Sequence, residues 1–289
     1  MPDRFFSPTP LNAETARLTG PEAHHLRHVL RLRAGAEVVL FDGDGVEATA
    51  EIVSVEKSSV ELRILETRRD NFDSQAQIVL GTAIPKGDRF RWLVEKSAEL
   101  GIGSLVPLNT TRSVVDPRES RLEKMRAVVI AACKQSRRNR LMRIEAPATW
   151  VEFVDRYRAD RSDAEVRFLV AEPAGEPLSL ILTQAAMQAQ AAKPCSSSHA
   201  GDDIGHGTGR SGQSGADSQP CRPTVVLAVG PEGGFTPLEL DQAAAAGARL
   251  VSLGSRILRV ETAAIALTSV FSLATVFAEA SDSRTSSRR

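Results

Sequence analysis

The apolar positions change their spacing partway along the chain. Residues 36–41, 46–55 and 59–65 are short runs with β-branched side chains and partial alternation, which predicts strands. Between the first two, Asp42-Gly43-Asp44-Gly45 has the composition of a hairpin turn. With one helix near residues 24–31, the economical architecture for residues 1–72 is a small β-barrel. Residues 71–75 are a polar linker. From Gln77 onward, short apolar strands (78–83, 105–108, 167–171, 224–229, 250–253) alternate with segments of helical period. Residues 88–100 place Phe90, Leu93, Val94, Ser97 and Gly101 on one face. Residues 121–136 do the same with Leu122, Met125, Val129, Ala132 and Cys133 or Ser136. The chain closes with a helix over about 263–278. Strand–helix alternation over this length predicts an α/β layer fold with a mostly parallel sheet, spanning residues 76–280.

Residues 195–222 interrupt the pattern, with twelve Gly or Ser among 28 residues and one large aliphatic, Ile204. Such a segment cannot bury enough apolar area to offset its ordering entropy, so a disordered insertion at about 190–222 is expected, after an Ala/Gln-rich helical stretch. Residues 281–289 read as a disordered tail. Asp42 and Asp44 hint at a calcium loop, but Val46 and Val53 stand where further acidic ligands would be needed. A metal site built from Cys195, Cys221, His199 and His206 is disfavoured, and no metal is expected. The three cysteines form no C-x-x-C pair, which argues against a disulfide framework or structural zinc. The chain has no run of 18 apolar residues and no apolar signal-peptide core at its start, so no membrane segment is expected and the cytoplasm is the default location.

The 289-residue chain has 36 basic and 36 acidic residues, and this balance hides local clusters. Residues 121–143 hold eight basic residues against one acid, Glu123, and a second basic cluster runs over residues 24–33. A surface for a polyanion and a solvated helix face both account for such runs.

Two loops carry candidate chemistry. Gly230-Pro231-Glu232-Gly233-Gly234-Phe235 follows an apolar strand and precedes a capping box, Thr236-Pro237-Leu238-Glu239. Glycines at the C-terminal end of a strand in an open α/β sheet let backbone approach a ligand, but on the glycines alone a tight strand-to-helix turn is an equal reading. The loop lacks the Gly-Lys-Ser/Thr of a phosphate cradle and the G-x-G-x-x-G of a dinucleotide loop, and Glu232 would repel phosphate. A ligand with a cationic sulfonium and no phosphate fits better. The second loop, Leu253-Gly254-Ser255-Arg256-Ile257-Leu258-Arg259-Val260-Glu261-Thr262, mixes aliphatic and charged residues in a way that suits neither a solvent loop nor a core strand. It suits a pocket wall that packs adenine.

GPEGGF followed by LGSRILRVETA resembles the cofactor loops of the SPOUT methyltransferases. RFF at 4–6, HHLRHVLRL at 24–32, FDGDG at 41–45, KGDRFRWLVEKSAELGIGSLVPL at 86–108 and IAACKQSRRNR at 130–140 narrow the resemblance to the RsmE-type family, which methylates N3 of a uridine in 16S ribosomal RNA. The resemblance covers nearly the whole chain except the insertion and tail. Ser255 stands where family members often have Pro, and Val260 where many have Thr. The family implies S-adenosylmethionine as cofactor, a C-terminal domain with a parallel sheet and a trefoil knot, an N-terminal PUA-like β-barrel, and a homodimer acting on 16S rRNA in the assembled small subunit. By position, the cofactor contacts would be Glu172, Pro173, Gly230, Pro231, Glu232, Gly233, Gly234, Leu253, Gly254, Ile257, Leu258, Arg259, Val260, Thr262 and Ala263.

Methylation at N3 requires the base to be unstacked and the N3 proton to be lost, or the resulting anion stabilised. Arginine suits the second task because it stabilises negative charge on the uracil oxygens. Arg259 and the Asn139-Arg140 pair are the candidates for orienting or polarising uracil. Glu261 is the best-placed carboxylate for a general base, and capping of the last helix together with Thr262 accounts for it equally. Cys133 is expected as a core thiol. His24, His25, Arg27, His28 and Arg31, with Lys134, Arg137 and Arg138, are candidates for RNA backbone contact. The competing readings are a non-catalytic RNA-binding or ribosome assembly factor on the same fold, and a SPOUT enzyme acting on another RNA.

Overall fold

In a computed structural model, the described residues are 2–69, 77–116, 119–158, 166–191 and 224–286. The linker at 71–75 and the insertion from 192 to 222, with its cysteines and histidines, lie outside them.

The N-terminal part is a five-stranded sheet in the order β1–β3–β4–β5–β2, built from β1 (Arg4–Phe6), β2 (Thr15–Thr19), β3 (Glu37–Phe41), β4 (Val46–Val55) and β5 (Ser59–Arg69). Alternation puts Val38, Leu40, Ala48, Ala50, Ile52, Val60 and Leu62 into its core with Phe5, Leu18 and Leu26. Register shifts in the β4–β5 ladder at Thr49/Ala50 and Ile52/Ser54 bend the sheet around that core. The end strands β1 and β2 share no ladder among the described residues, so the expected barrel is a curled sheet rather than a ring of hydrogen bonds. The expected helix at 24–31 is α1 (Gly20–His24) running into a π-helical turn, His25–Val29. It brings the exposed rings of His24 and His28 to 4.6 Å.

The second part is a seven-stranded sheet, with β6 (Gln77–Ala83), β7 (Ser104–Asn109), β8 (Arg143–Ile144), β9 (Ala148–Thr149), β10 (Val166–Pro177), β11 (Thr224–Val229) and β12 (Arg249–Ser252). The order is β12–β10–β11–β6–β7–β8, with β9 also paired to β7, and every ladder is parallel. Central strands are apolar throughout because helices cover both faces. In β11, Val225, Leu227 and Val229 face a layer that includes α2 (Arg89–Glu99), α3 (Glu119–Ser136) and α7 (Val260–Ser286). Val226 and Ala228 face α4 (Trp150–Arg156) and α6 (Pro237–Ala245). The Ala/Gln-rich stretch is α5 (Leu178–Ala191). Helix α7 continues through residues 281–286, where a tail is expected, since neither Gly nor Pro follows Gly254 to stop it.

Helix α3 joins the two parts. Arg4 of β1 donates to Glu47 and to the Asn139 side chain, and its guanidinium lies 4.7 Å from the Phe41 ring centroid. Gly45 N–H donates to the Asn139 carbonyl at 3.2 Å, and Leu141 N–H to the Gly43 carbonyl at 2.9 Å. The Asp42–Gly45 turn is therefore clamped from both sides, with the Asp42 carboxylate accepting from Asp44 and Val46 N–H. Lys134 donates to Glu22 at 2.9 Å and lies 3.4 Å from His25 Nδ1.

Candidate functional site

Parallel strands bring their C-terminal ends to one edge, and there the two singled-out loops meet. They enclose a cavity of about 350 Å³ with the ends of β10, β11 and β12. Its apolar wall is Ala171, Val229, Val251, Leu253, Leu258, Val260 and Ala263. The polar and backbone side is Gly230–Phe235, Gly254, Glu172 and Pro173, with Arg256 and Ile257 at the rim. Ile257 is 97% exposed, an aliphatic side chain with nothing on it.

The glycine loop is held from behind. The Glu239 carboxylate closes the capping box, accepting from Thr236 N–H at 2.7 Å and from the Thr236 hydroxyl at 2.9 Å. Its other oxygen accepts from Thr111 N–H at 2.8 Å, which ties the loop after β7 to the start of α6. Burial pushes the Glu239 carboxyl up, but these hydrogen bonds outweigh it and hold the group below its ordinary range. Trp150 Nε1 donates to the Glu239 carbonyl at 2.9 Å, and its ring packs on Phe235 at 4.4 Å. Because Glu239 occupies the α6 N-terminus, that helix offers no vacant anion site.

Arg112, in the loop after β7, also lines the cavity. Its guanidinium donates to the Gly233 carbonyl at 2.6 Å and to that of Phe235 at 3.3 Å. Nothing local in Asn109-Thr110-Thr111-Arg112-Ser113 marks this residue. The signal that finds it is topological, since β7 is parallel to β11 and its C-terminal loop opens on the same sheet edge.

The other sequence candidates divide. Glu172, Pro173, Gly230, Pro231, Glu232, Gly233, Gly234, Leu253, Gly254, Ile257, Leu258, Val260 and Ala263 line the cavity, whereas Arg259 and Thr262 do not. Arg259 is exposed, and its carbonyl accepts from Ala263 N–H at 2.8 Å to start α7. Glu261 is buried away from the cavity, 3.7 Å from Arg89 of α2, and its Oε2 has no hydrogen bond. Glu261 therefore stands against α2 and outside the lining of this cavity. Asn139 and Arg140 also stand apart from this cavity. Asn139 is 5% exposed, bonded to Arg4 and Gly45, and with Arg140 it lines a separate cleft beside Gly45 and Ser272. Among the RNA-contact candidates, Lys134 and His25 are taken up between the two parts, and Arg138 donates to the Ala98 and Gly101 carbonyls at the end of α2. His24, His28, Arg31 and Arg137 are exposed, while Arg27 donates to the Lys57 carbonyl at 2.7 Å. Cys133 is fully buried.

The match to known families follows the same division of the chain. An RNA methyltransferase domain family matches residues 73–195 and 210–272, and an RNA methyltransferase PUA domain matches residues 18–65. The chain belongs to the RNA methyltransferase family. Within that family it is 30% identical to the ribosomal RNA small subunit methyltransferase E of Synechocystis, over 89% of this chain and 72% of the relative. It is 27% identical to that of Bacillus subtilis, over 91% of both chains. Two solved family structures superpose on it. A methyltransferase of Legionella pneumophila with bound SAM shares 28% identity with a TM-score of 0.72, covering 95% of this chain and 98% of the other. The ribosomal RNA small subunit methyltransferase E of Neisseria gonorrhoeae, bound to S-adenosyl methionine, shares 29% with a TM-score of 0.71, covering 93% and 96%. No helix among the described residues is long and apolar enough to cross a membrane, and none of their His, Cys, Asp and Glu side chains form a group able to hold a metal ion.

Proposed function

We propose that the chain methylates N3 of a uridine in 16S ribosomal RNA, using S-adenosylmethionine bound in the cavity at the ends of β10, β11 and β12. The observation that carries the proposal is the chemistry of that cavity. Its volume of about 350 Å³, aliphatic wall and glycine backbone suit an adenosine. Its acidic members, Glu172 and Glu232, suit a cation and repel phosphate. Family membership supports the same reading. When bound, S-adenosylmethionine supplies a methyl group on a positively charged sulfur, an electrophile that needs no metal.

The residues of the chain have the remaining tasks. Leu253, Leu258 and Val260 hold the adenine face, and the backbone of the glycine loop meets its polar edges. Arg259 stands exposed one residue before α7, beside the cavity rather than in its wall, and faces the uracil side. Its guanidinium stabilises the negative charge that develops on the uracil oxygens as N3 loses its proton. Arg259→Ala is expected to lower kcat by about 100-fold with little change in cofactor affinity, by analogy with removal of one oxyanion donor. Unchanged turnover would remove Arg259 from the mechanism. The helix and π-helical turn of the N-terminal part, with the residues just after it, present His24, His28 and Arg31 to the RNA backbone. These contacts give affinity, while target choice rests on the shape of the folded RNA. The domain limits proposed are 1–72 and 76–280. A homodimer, the knot and a cytoplasmic setting in the assembled small subunit belong to the same proposal.

The deciding experiment is mass spectrometry of ribosomal RNA from a strain lacking this protein. One uridine should lose its methyl group and regain it on complementation. A fully methylated 16S rRNA, or a chain that binds no S-adenosylmethionine in a calorimeter, would favour an assembly factor instead.

A further inference from the structure

Four charged side chains line the cavity, Arg112, Glu172, Glu232 and Arg256. None forms a salt bridge with a described residue, and among the described residues their only side-chain hydrogen bonds are the two from Arg112 to the glycine-loop carbonyls. The contrast with the next acid on β10 is direct, since Glu176 pairs with Arg249 at 2.7 Å. A cavity with two acids and two bases left uncompensated matches a ligand carrying both signs of charge.

We infer that Arg112 recognises the α-carboxylate at the amino-acid end of the methyl donor, with Glu172 and Glu232 facing its ammonium and sulfonium charges. The inference rests on the methyl-donor reading above. Arg112 suits the role because it is fixed before any ligand arrives. One terminal nitrogen is committed to the Gly233 and Phe235 carbonyls, and both acceptors are uncharged, so the cation keeps its full charge for a ligand. The remaining guanidinium N–H donors form the planar fork that matches a carboxylate. The chain around Arg112 is fixed as well, because the preceding Thr111 N–H is bonded to Glu239. Gly233 makes room for the side chain, since a Cβ there would meet Arg112 Cδ at 3.3 Å. Arg256 has the same charge but no side-chain hydrogen bond to another described residue, and lies exposed in its loop. Its guanidinium is not preorganised for a small ligand.

Calorimetric titration of the full chain tests this with two ligands, S-adenosylmethionine and its decarboxylated analogue, which lacks only the carboxylate. For the donor itself, Arg112→Gln should weaken binding about 10- to 100-fold, the range for a charge-assisted hydrogen bond. For the analogue, the same variant should match the unsubstituted chain within about twofold. Arg112→Lys, which keeps the charge and loses the fork, should recover part of the loss, and any effect of Arg256→Gln on binding should be equal for the two ligands. Equal weakening of both ligands by Arg112→Gln would make Arg112 a structural strut only and overturn the inference. Ligand discrimination in Arg256→Gln instead would move the carboxylate contact to that residue and also overturn it. Should Arg112→Gln fail to melt cooperatively, the Arg112→Lys titration decides, with loss confined to the carboxylate-bearing ligand as the supporting result and equal loss as the opposing one. An unsubstituted chain that binds neither ligand would defeat the methyl-donor reading itself, an outcome distinct from all of these.

Discussion

At the residue scale, Glu239 does the work of several side chains. One carboxylate caps α6, orients the glycine loop through Thr236, and ties down the loop that carries Arg112. Its pKa is held below the unfolded value of about 4.3. A group with a depressed folded pKa stabilises the fold above its unfolded pKa, and that contribution disappears as pH falls through the folded value. Glu239→Gln is therefore expected to lower the melting temperature at pH 7 and to flatten its decline below pH ~4. An acid limb as steep as that of the unsubstituted chain would show that other carboxylates dominate. Gly175 is a second constraint at this scale, in the β10–β12 ladder. A Cβ there would lie 2.6 Å from backbone atoms of Leu250 and Val251, so the side-chain-free position lets β10 and β12 meet beyond the register shift in their ladder. Gly175→Ala should cost about 1–3 kcal/mol by overpacking, read from the urea midpoint.

At the element scale, Thr-x-x-Glu opens helices at Thr19, Thr149 and Thr236, but only the last two form a capping box, whose function depends on what the helix follows. Thr149 and Glu152 form a capping box for α4, and Thr236 and Glu239 form one for α6. Both are legible as Thr-x-x-Glu, although the pattern reading above used only the second and left α4 unassigned. Replacing either threonine with alanine should remove about 0.5–2 kcal/mol of stability. Only Thr236→Ala should also weaken cofactor binding, because only α6 begins at the glycine loop. If Thr149→Ala weakened it equally, the effect would be global destabilisation, not loop geometry. The strands β1 and β2 escaped the pattern reading for a different reason. Arg4–Phe6 is too short to show a period, and Thr15–Thr19 alternates but was passed over; pairing with β3 and β5 makes them strands.

At the scale of the whole molecule, the basic segment ending α3 holds the two parts together. Arg4 is nearly buried, with its partners Glu47 and Asn139 coming from the N-terminal sheet and from the end of α3. Asn139→Ala would leave a buried guanidinium N–H unsatisfied, at a cost of about 1–3 kcal/mol. Cofactor affinity should stay within about twofold, since Asn139 lines a different cleft from the cofactor cavity. A large loss of cofactor affinity in this variant would mean that the two clefts are coupled. RNA binding should depend on salt through the exposed cations of the N-terminal part. Arg31→Ala should reduce the slope of log affinity against log salt by about 0.7–0.9, the value for one phosphate contact.

The chain's order of apolar and polar residues determined its class and its two loops. Period and run length are local properties, and strands buried on both faces leave a readable run such as Thr224–Val229. The family motifs are local as well, which is why the glycine loop and the Leu253 loop stood out before any fold was known. Only the tertiary structure decided which charges are available to a ligand. Asn139, Arg138 and Lys134 look as free in the sequence as Arg112 does, yet the fold bonds them to Arg4, to the carbonyls ending α2 and to Glu22, away from the cavity, whereas Arg112, bonded to the glycine-loop carbonyls, lines it. Glu261 looked available in the same way and is buried against α2. A side chain's partner is set by contacts more than a hundred positions away, as for Arg112 with Gly233 and Arg4 with Asn139. Spacing along the chain carries no record of those distances.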